Sequence, residues 1–371
     1  MSHLACCASI PDHLQRLAPY QPGKPMSELE RELGLTSIIK LASNENPRGA
    51  SPMALHALTT LGQEWALYPD GNGYGLKAAL AQRYGLDSEH WVLGNGSNDI
   101  LDMVARTLLG PGTSAVYARY AFAVYPLATQ SVGAVGIEVP DRDHGHDLDA
   151  MVAAIRPDTR VLFIANPNNP TGTFVDGERL HAALAQVPER VVVVLDEAYT
   201  EYLPDALRYD ALGWLKTFPN LLVCRTFSKA YGLAGLRVGF GAAHPELIGY
   251  LNRLRQPFNV SVPGLAAATA ALQDTAFLEE TRVLNDAGRA QLIEGFRREA
   301  LACLPSQGNF VSVAVGEAQA VYQGLLRQGV IVRPLGGYGM PRHLRVTVGT
   351  HAENERFLAA LRQTLKDFRA S

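Results

Sequence analysis

Four cysteines among 371 residues are too few for a disulfide framework, and their placement excludes zinc-ligand spacing. Cys6 and Cys7 are adjacent, Cys224 falls in an apolar run, and Cys303 lies near the end of a helical pattern. Long apolar runs are missing as well. The longest, such as 191–195 and 221–224, are strand-sized and far below the ~20 residues a membrane span needs. A surplus of charge is also absent: the net charge of -3 leaves no basic field for nucleic acid. The N-terminal stretch MSHLACCASIPDHLQRL has no basic segment followed by an apolar one, so a cytoplasmic location is expected. Lysine is scarce, with residues at 24, 40, 77, 216, 229 and 366 only.

What is present points to an α/β protein. Apolar runs near 115–117, 135–139, 161–165, 191–195, 221–225 and 237–242 read as strands, several continuous and therefore buried on both faces. Helical spacing alternates with them, as in 99–109, where Asn98 suits a cap, and in 148–155. Such alternation predicts a mostly parallel central sheet covered by helices. Residues 1–43 read as an arm and 44–260 as the large unit. Residues 261–371 read as a smaller α+β unit, with an Ala-rich helical stretch from 263 to 298 followed by strand-like segments at 310–315, 330–333 and 344–348 and a closing helix at 353–368.

Four segments carry chemistry. Lys229, in CRTFSKAYGLAGLRVGF, follows a buried-type strand among small and apolar neighbours, where desolvation lowers an amine's pKa; taken alone it reads equally as an exposed loop lysine. Asp196 ends the run VVVVLD, where an unpaired charge is costly and a cationic partner such as a protonated pyridine is needed. With Glu197 beside it, a helix cap or a metal ligand is the alternative. Residues 165–172, ANPNNPTG, form a constrained turn in which Asn169 either donates to a bound ring or serves only the turn. At GNGSNDILDMVARTLL, glycines and Ser97 lead into a helix whose free N–H groups make an anion site. It lacks the third glycine of a dinucleotide fingerprint and the Gly-Lys-Ser/Thr of a P-loop, so a monophosphate suits it, with Ser228 and Arg237 as further donors.

In this order, NPTG, DEAY, SK and GLRVGF resemble the aspartate-aminotransferase fold family of pyridoxal-phosphate enzymes, and APYQPG, LASNENP, LYPDGNGYGLKAAL and LRVTVGT extend the likeness along nearly the whole chain. The resemblance implies a fold-type I transferase with pyridoxal 5'-phosphate as cofactor and no metal. It makes Lys229 the Schiff-base lysine, Asp196 the partner of the pyridine nitrogen, and Asn169 and Tyr199 the donors to the ring hydroxyl oxygen. The backbone of Ser97 and Asn98, with Ser228 and Arg237, falls at the phosphate-binding positions, and Thr226 is a further cofactor-binding residue. Phe122 falls where the family stacks an aromatic ring on the cofactor, with Tyr120 two residues away as the alternative. Tyr68 is the residue that reaches the cofactor of a second subunit, which implies a homodimer with shared sites. Tyr20, Arg333 and Arg345 are the implied substrate residues, the arginines gripping either a phosphate or a carboxylate. The expected reaction is transamination of a phosphorylated amine with 2-oxoglutarate and glutamate as the other pair, between small molecules, without nucleic acid or membrane. An aromatic-amino-acid aminotransferase, a phospho-amino-acid decarboxylase of this fold and a non-enzymatic cofactor-binding module are the rivals.

Overall fold

The computed structural model describes residues 5–370. An arm strand, β1 (Ile39–Lys40), precedes seven strands of a main sheet: β2 (Trp91–Asn95), β3 (Ser114–Ala118), β4 (Val135–Val139), β5 (Thr159–Ala165), β6 (Val192–Asp196), β7 (Leu221–Thr226) and β8 (Val238–Ala243). Their spatial order is β2-β8-β7-β6-β5-β3-β4. All neighbours run parallel except where β8 pairs antiparallel with β7 and β2. Beyond lie β9 (Phe310–Ala314), β10 (Val330–Ile331), β11 (Arg333–Pro334) and β12 (His343–Thr347), three of which form a small sheet in the order β11-β12-β9.

The continuous apolar runs are explained by burial on both faces of the main sheet. On β6, Val193 and Leu195 enter one hydrophobic core while Val194 enters the opposite one. Each such side chain, removed from water, contributes about 1.5–3 kcal/mol. The exception is β4, whose position at the sheet edge leaves Val135 exposed. Among the described residues no helix is long and apolar enough to cross a membrane.

Three local readings change. The helix expected behind an Asn98 cap spans Ser97–Leu108, with Gly96 at φ 77° in the cap position. The Ala-rich stretch after 261 is two helices, Val262–Gln273 and Thr275–Arg298, divided at Asp274, whose carboxylate accepts from the Phe277 N–H. The first of them buries Ala267, Ala268, Ala271 and Leu272 in the core of the main sheet, so the chain passes to the small sheet along the second. The segment 330–333 is likewise not one strand. It divides at Val332, where β10 pairs with β1 of the arm and β11 pairs with β12, and this sets Arg333 directly opposite Arg345.

Candidate active site

The carboxyl ends of β5, β6 and β7 open onto a cavity of about 210 Å³ beside the point where strand order reverses between β5 and β3, the usual place for a ligand in an open α/β sheet. Of the fourteen site residues expected from sequence, thirteen line it: Tyr20, Ser97, Asn98, Phe122, Asn169, Asp196, Tyr199, Thr226, Ser228, Lys229, Arg237, Arg333 and Arg345. Tyr68 does not. It stands 82% exposed on the outer surface, stacked on Phe258 with ring centres 4.6 Å apart.

Lys229 follows β7 and points its Nζ at the Ser43 carbonyl, 3.0 Å away. Burial, then the Arg345 guanidinium, pushes its ammonium down to about 8. Asp196, at the last position of β6, is pushed up to about 6 by burial, against hydrogen bonds from the Tyr125 hydroxyl at 2.8 Å and the Ala198 N–H at 3.2 Å. Glu197 turns away from the cavity to pair with Arg225 of β7 at 2.8 Å, so the two adjacent carboxylates do not converge as a metal site would require.

The turn at 166–172 divides its asparagines between two tasks. Asn166 exchanges hydrogen bonds with the backbone of Val175, and Asn168 donates to the Tyr120 carbonyl, so both hold the loop. Asn169 faces the cavity and accepts from Arg345 Nη1 at 2.5 Å. Tyr199 accepts from Asn44 Nδ2 at 2.8 Å, and burial pushes its phenol up to about 12, so it is a protonated donor at neutral pH. Of the two aromatic candidates, Phe122 lines the cavity, whereas Tyr120 stacks on His144.

At the other end, no side chain caps the Ser97–Leu108 helix, which leaves its first-turn N–H groups free. Arg237 closes this corner. Its φ of 56° is a left-handed conformation that costs a non-glycine residue roughly 1 kcal/mol. Its Nη1 donates to Ser228 Oγ at 3.2 Å. A Cβ on Gly96 would meet Arg237 Nη2 at 2.5 Å, so only glycine admits the guanidinium here. On the facing wall Arg345 is buried, donates through Nη2 to the Ala42 carbonyl at 2.8 Å, and has no partner for Nε. Half-buried Arg333 donates to the Gln21 carbonyl at 2.7 Å, with Tyr20 5.9 Å from its guanidinium.

This donor set fits the expected cofactor. An uncapped helix start, a hydroxyl and a guanidinium suit a phosphate. A buried carboxylate at the opposite side suits a protonated ring nitrogen, and a desolvated amine lines the same space. Tyr125, Asn44 and Tyr338 are among the lining residues that had escaped the sequence reading. Asn44 lies within LASNENP, but nothing in that segment indicates a partner 155 residues away.

The family follows from comparison with known proteins. Residues 36–361 match the model for aminotransferase class I and II, and the chain belongs to that family. Histidinol-phosphate aminotransferase 2 of Nitrosospira multiformis is 58% identical to it over 358 residues, covering 96% of this chain and 91% of the relative. Histidinol-phosphate aminotransferase 1 of Thiobacillus denitrificans is 59% identical over 362 residues, covering 97% and 94%. The crystal structure of histidinol-phosphate aminotransferase from Sinorhizobium meliloti in complex with pyridoxal-5'-phosphate matches with a TM-score of 0.90 at 29% identity, over 97% of this chain and 98% of that one.

Proposed function

We propose that this chain catalyses the pyridoxal-phosphate-dependent transamination of L-histidinol phosphate with 2-oxoglutarate and glutamate, a step of histidine biosynthesis. The observation that carries it is the convergence of Lys229, Asp196, Asn169, Tyr199 and Arg237 on one cavity with two arginines on its far wall, in a chain 58% identical to an enzyme named for that reaction. Those relatives do not favour the aromatic-aminotransferase and decarboxylase rivals.

In this reading Ser97, Asn98, Ser228 and Arg237 hold the cofactor phosphate with Thr226 as a further cofactor-binding residue, Asn169 and Tyr199 donate to its ring oxygen, and Phe122 packs on the ring. When bound, pyridoxal phosphate supplies an electron-accepting ring that absorbs the charge left as a proton leaves the substrate. Asp196 keeps the proton on the ring nitrogen. Lys229 Nζ, largely neutral above pH 8, would take the proton from the substrate's amine-bearing carbon and deliver it to the cofactor's C4', with the reverse transfer onto the oxo acid in the second half of the reaction. Arg333 and Arg345, with Tyr20 at the entrance, grip the substrate's anionic end. The division into a large unit that holds the cofactor and a small unit that brings the arginines, with the arm joining the small one, belongs to the same reading. So does a cytoplasmic location, which the exposed free thiols of Cys6 and Cys7 favour.

Turnover of histidinol phosphate, phenylalanine and a phospho-amino acid, measured side by side, tests the substrate. Histidinol phosphate is expected to have the highest kcat/KM, and a better rate with phenylalanine would replace this reading with the aromatic one. Arg333→Ala is expected to lower kcat/KM for histidinol phosphate by about ten- to a hundredfold, since a charge-assisted hydrogen bond contributes roughly 1.5–3 kcal/mol. Unphosphorylated histidinol should change little; equal losses on both would make Arg333 a structural residue.

The reading also includes a homodimer with shared sites. Tyr68, Trp65, Leu67 and Tyr74 are 65–82% exposed on one stretch of the single chain, an apolar strip suited to a second copy. Mixing Tyr68→Phe chains with Lys229→Ala chains is expected to create dimers with one site intact and the other carrying both lesions. Activity above the sum of the two homodimers supports exchange of Tyr68, and a simple sum shows that Tyr68 serves its own chain.

A further inference from the structure

Tyr125 belongs to the helix Val124–Ser131 that packs against β3 and β4, and its ring is fully buried, stacked on Phe163 of β5 with centres 4.8 Å apart and planes within 4°. That stack leaves the phenol one direction. Its hydroxyl donates to Asp196 Oδ2 at 2.8 Å. We propose that Tyr125 is a positioning residue of the active site, pinning the Asp196 carboxylate in one orientation and keeping it ionised where it faces the cavity. The inference rests on the reading that Asp196 partners the cofactor's ring nitrogen.

The surroundings explain why such a residue is needed. Burial pushes Asp196 up to about 6, and the Tyr125 hydrogen bond is the leading opposing influence, ahead of the Ala198 N–H. Other groups act less directly. Glu197 raises Asp196 further although its carboxylate is turned towards Arg225, and Lys229 lowers it. Cys224 and Tyr199 also face it, but burial raises both, so they stay neutral across the range in which Asp196 titrates. Tyr125 is itself raised well above the phenol range by burial and then by Asp196, so it remains a donor. A carboxylate that loses this donor is buried with only one backbone N–H, and its protonated form gains ground.

The test uses cofactor-free protein with 13C-labelled aspartate side chains, in which the Asp196 resonance is the one missing from Asp196→Asn. In Tyr125→Phe the Asp196 midpoint is expected to rise by about one pH unit, the loss of one charge-assisted hydrogen bond. The ionised fraction at pH 7 then falls by roughly half, and affinity for pyridoxal phosphate is expected to fall about twofold there, with a smaller loss above pH 8. Placing 3-fluorotyrosine at position 125 makes the phenol a stronger donor, so the midpoint should move down; a residue that only fills space would not produce opposite shifts. Circular dichroism reports whether the Phe chain is folded, and if it is not, the fluorinated chain decides alone. An Asp196 midpoint unmoved by the substitutions overturns the proposal. Full turnover and cofactor affinity in Asp196→Asn would instead sink the role given to Asp196, while the NMR shifts still report the Tyr125 bond.

Discussion

Lys229→Ala is expected to lower transamination by about 10⁴-fold, the upper range for losing a positioned proton-transferring group. Borohydride treatment of the wild-type holoenzyme should fix the cofactor to the peptide containing Lys229 and bleach its visible band, and the Ala chain should release it unlabelled. The pH dependence follows from the site. A lysine held near 8 instead of near 10.4 is half neutral at pH 8, so modification of cofactor-free protein at Lys229 should rise through about pH 8. Because the Arg345 charge is the largest influence after burial, Arg345→Met should move that midpoint upward. Label on another of the six lysines, or an Ala variant within tenfold of wild type, would dismantle the assignment.

The second large effect belongs to Asp196. Asp196→Ala is expected to cost about a thousandfold in kcat, equivalent to ~4 kcal/mol, because an uncharged partner lets the ring nitrogen lose its proton when the ring must accept charge. Cofactor affinity should fall much less, since the phosphate corner holds the other end through Ser97, Ser228 and Arg237. Equilibrium binding of pyridoxal phosphate beside steady-state kinetics separates the two. Near wild-type turnover would make Asp196 a structural cap on the backbone N–H of Ala198.

These substitutions target residues that were visible before any coordinate, for reasons that are local. A continuous apolar run ending in Asp196 reads as a buried strand delivering a charge, because period and hydrophobicity are properties of neighbouring residues. The same holds for the glycines before Ser97, which announce a free helix start, and for Lys229, which follows a strand among small residues. The alternation of strands and helices gave the layered α/β class because each run must bury its apolar face against another.

Contacts between distant segments were not legible. Tyr125 has the spacing of any core aromatic, and only the docking of its helix on β3 and β4, which lays the ring on Phe163 of β5, carries its hydroxyl to a carboxylate 71 residues away. Arg333 and Arg345 read as separate strand residues until the division of 330–333 between two sheets puts them in register. Glu197 beside Asp196 read as a potential metal pair, and the successive residues point to opposite sides, one to the cavity and one to Arg225. The sequence alone thus determined the fold class and marked Lys229, Asp196, Asn169 and the helix start at Ser97 with Ser228 and Arg237 as candidates, since these depend on local period, burial and side-chain type, while Tyr20, Tyr68, Phe122, Tyr199, Thr226, Arg333 and Arg345 entered through the family resemblance. The tertiary structure alone decided which groups meet, the division of the turn asparagines between loop and cavity and the partner that orients Asp196, because these depend on the packing of elements far apart in the chain.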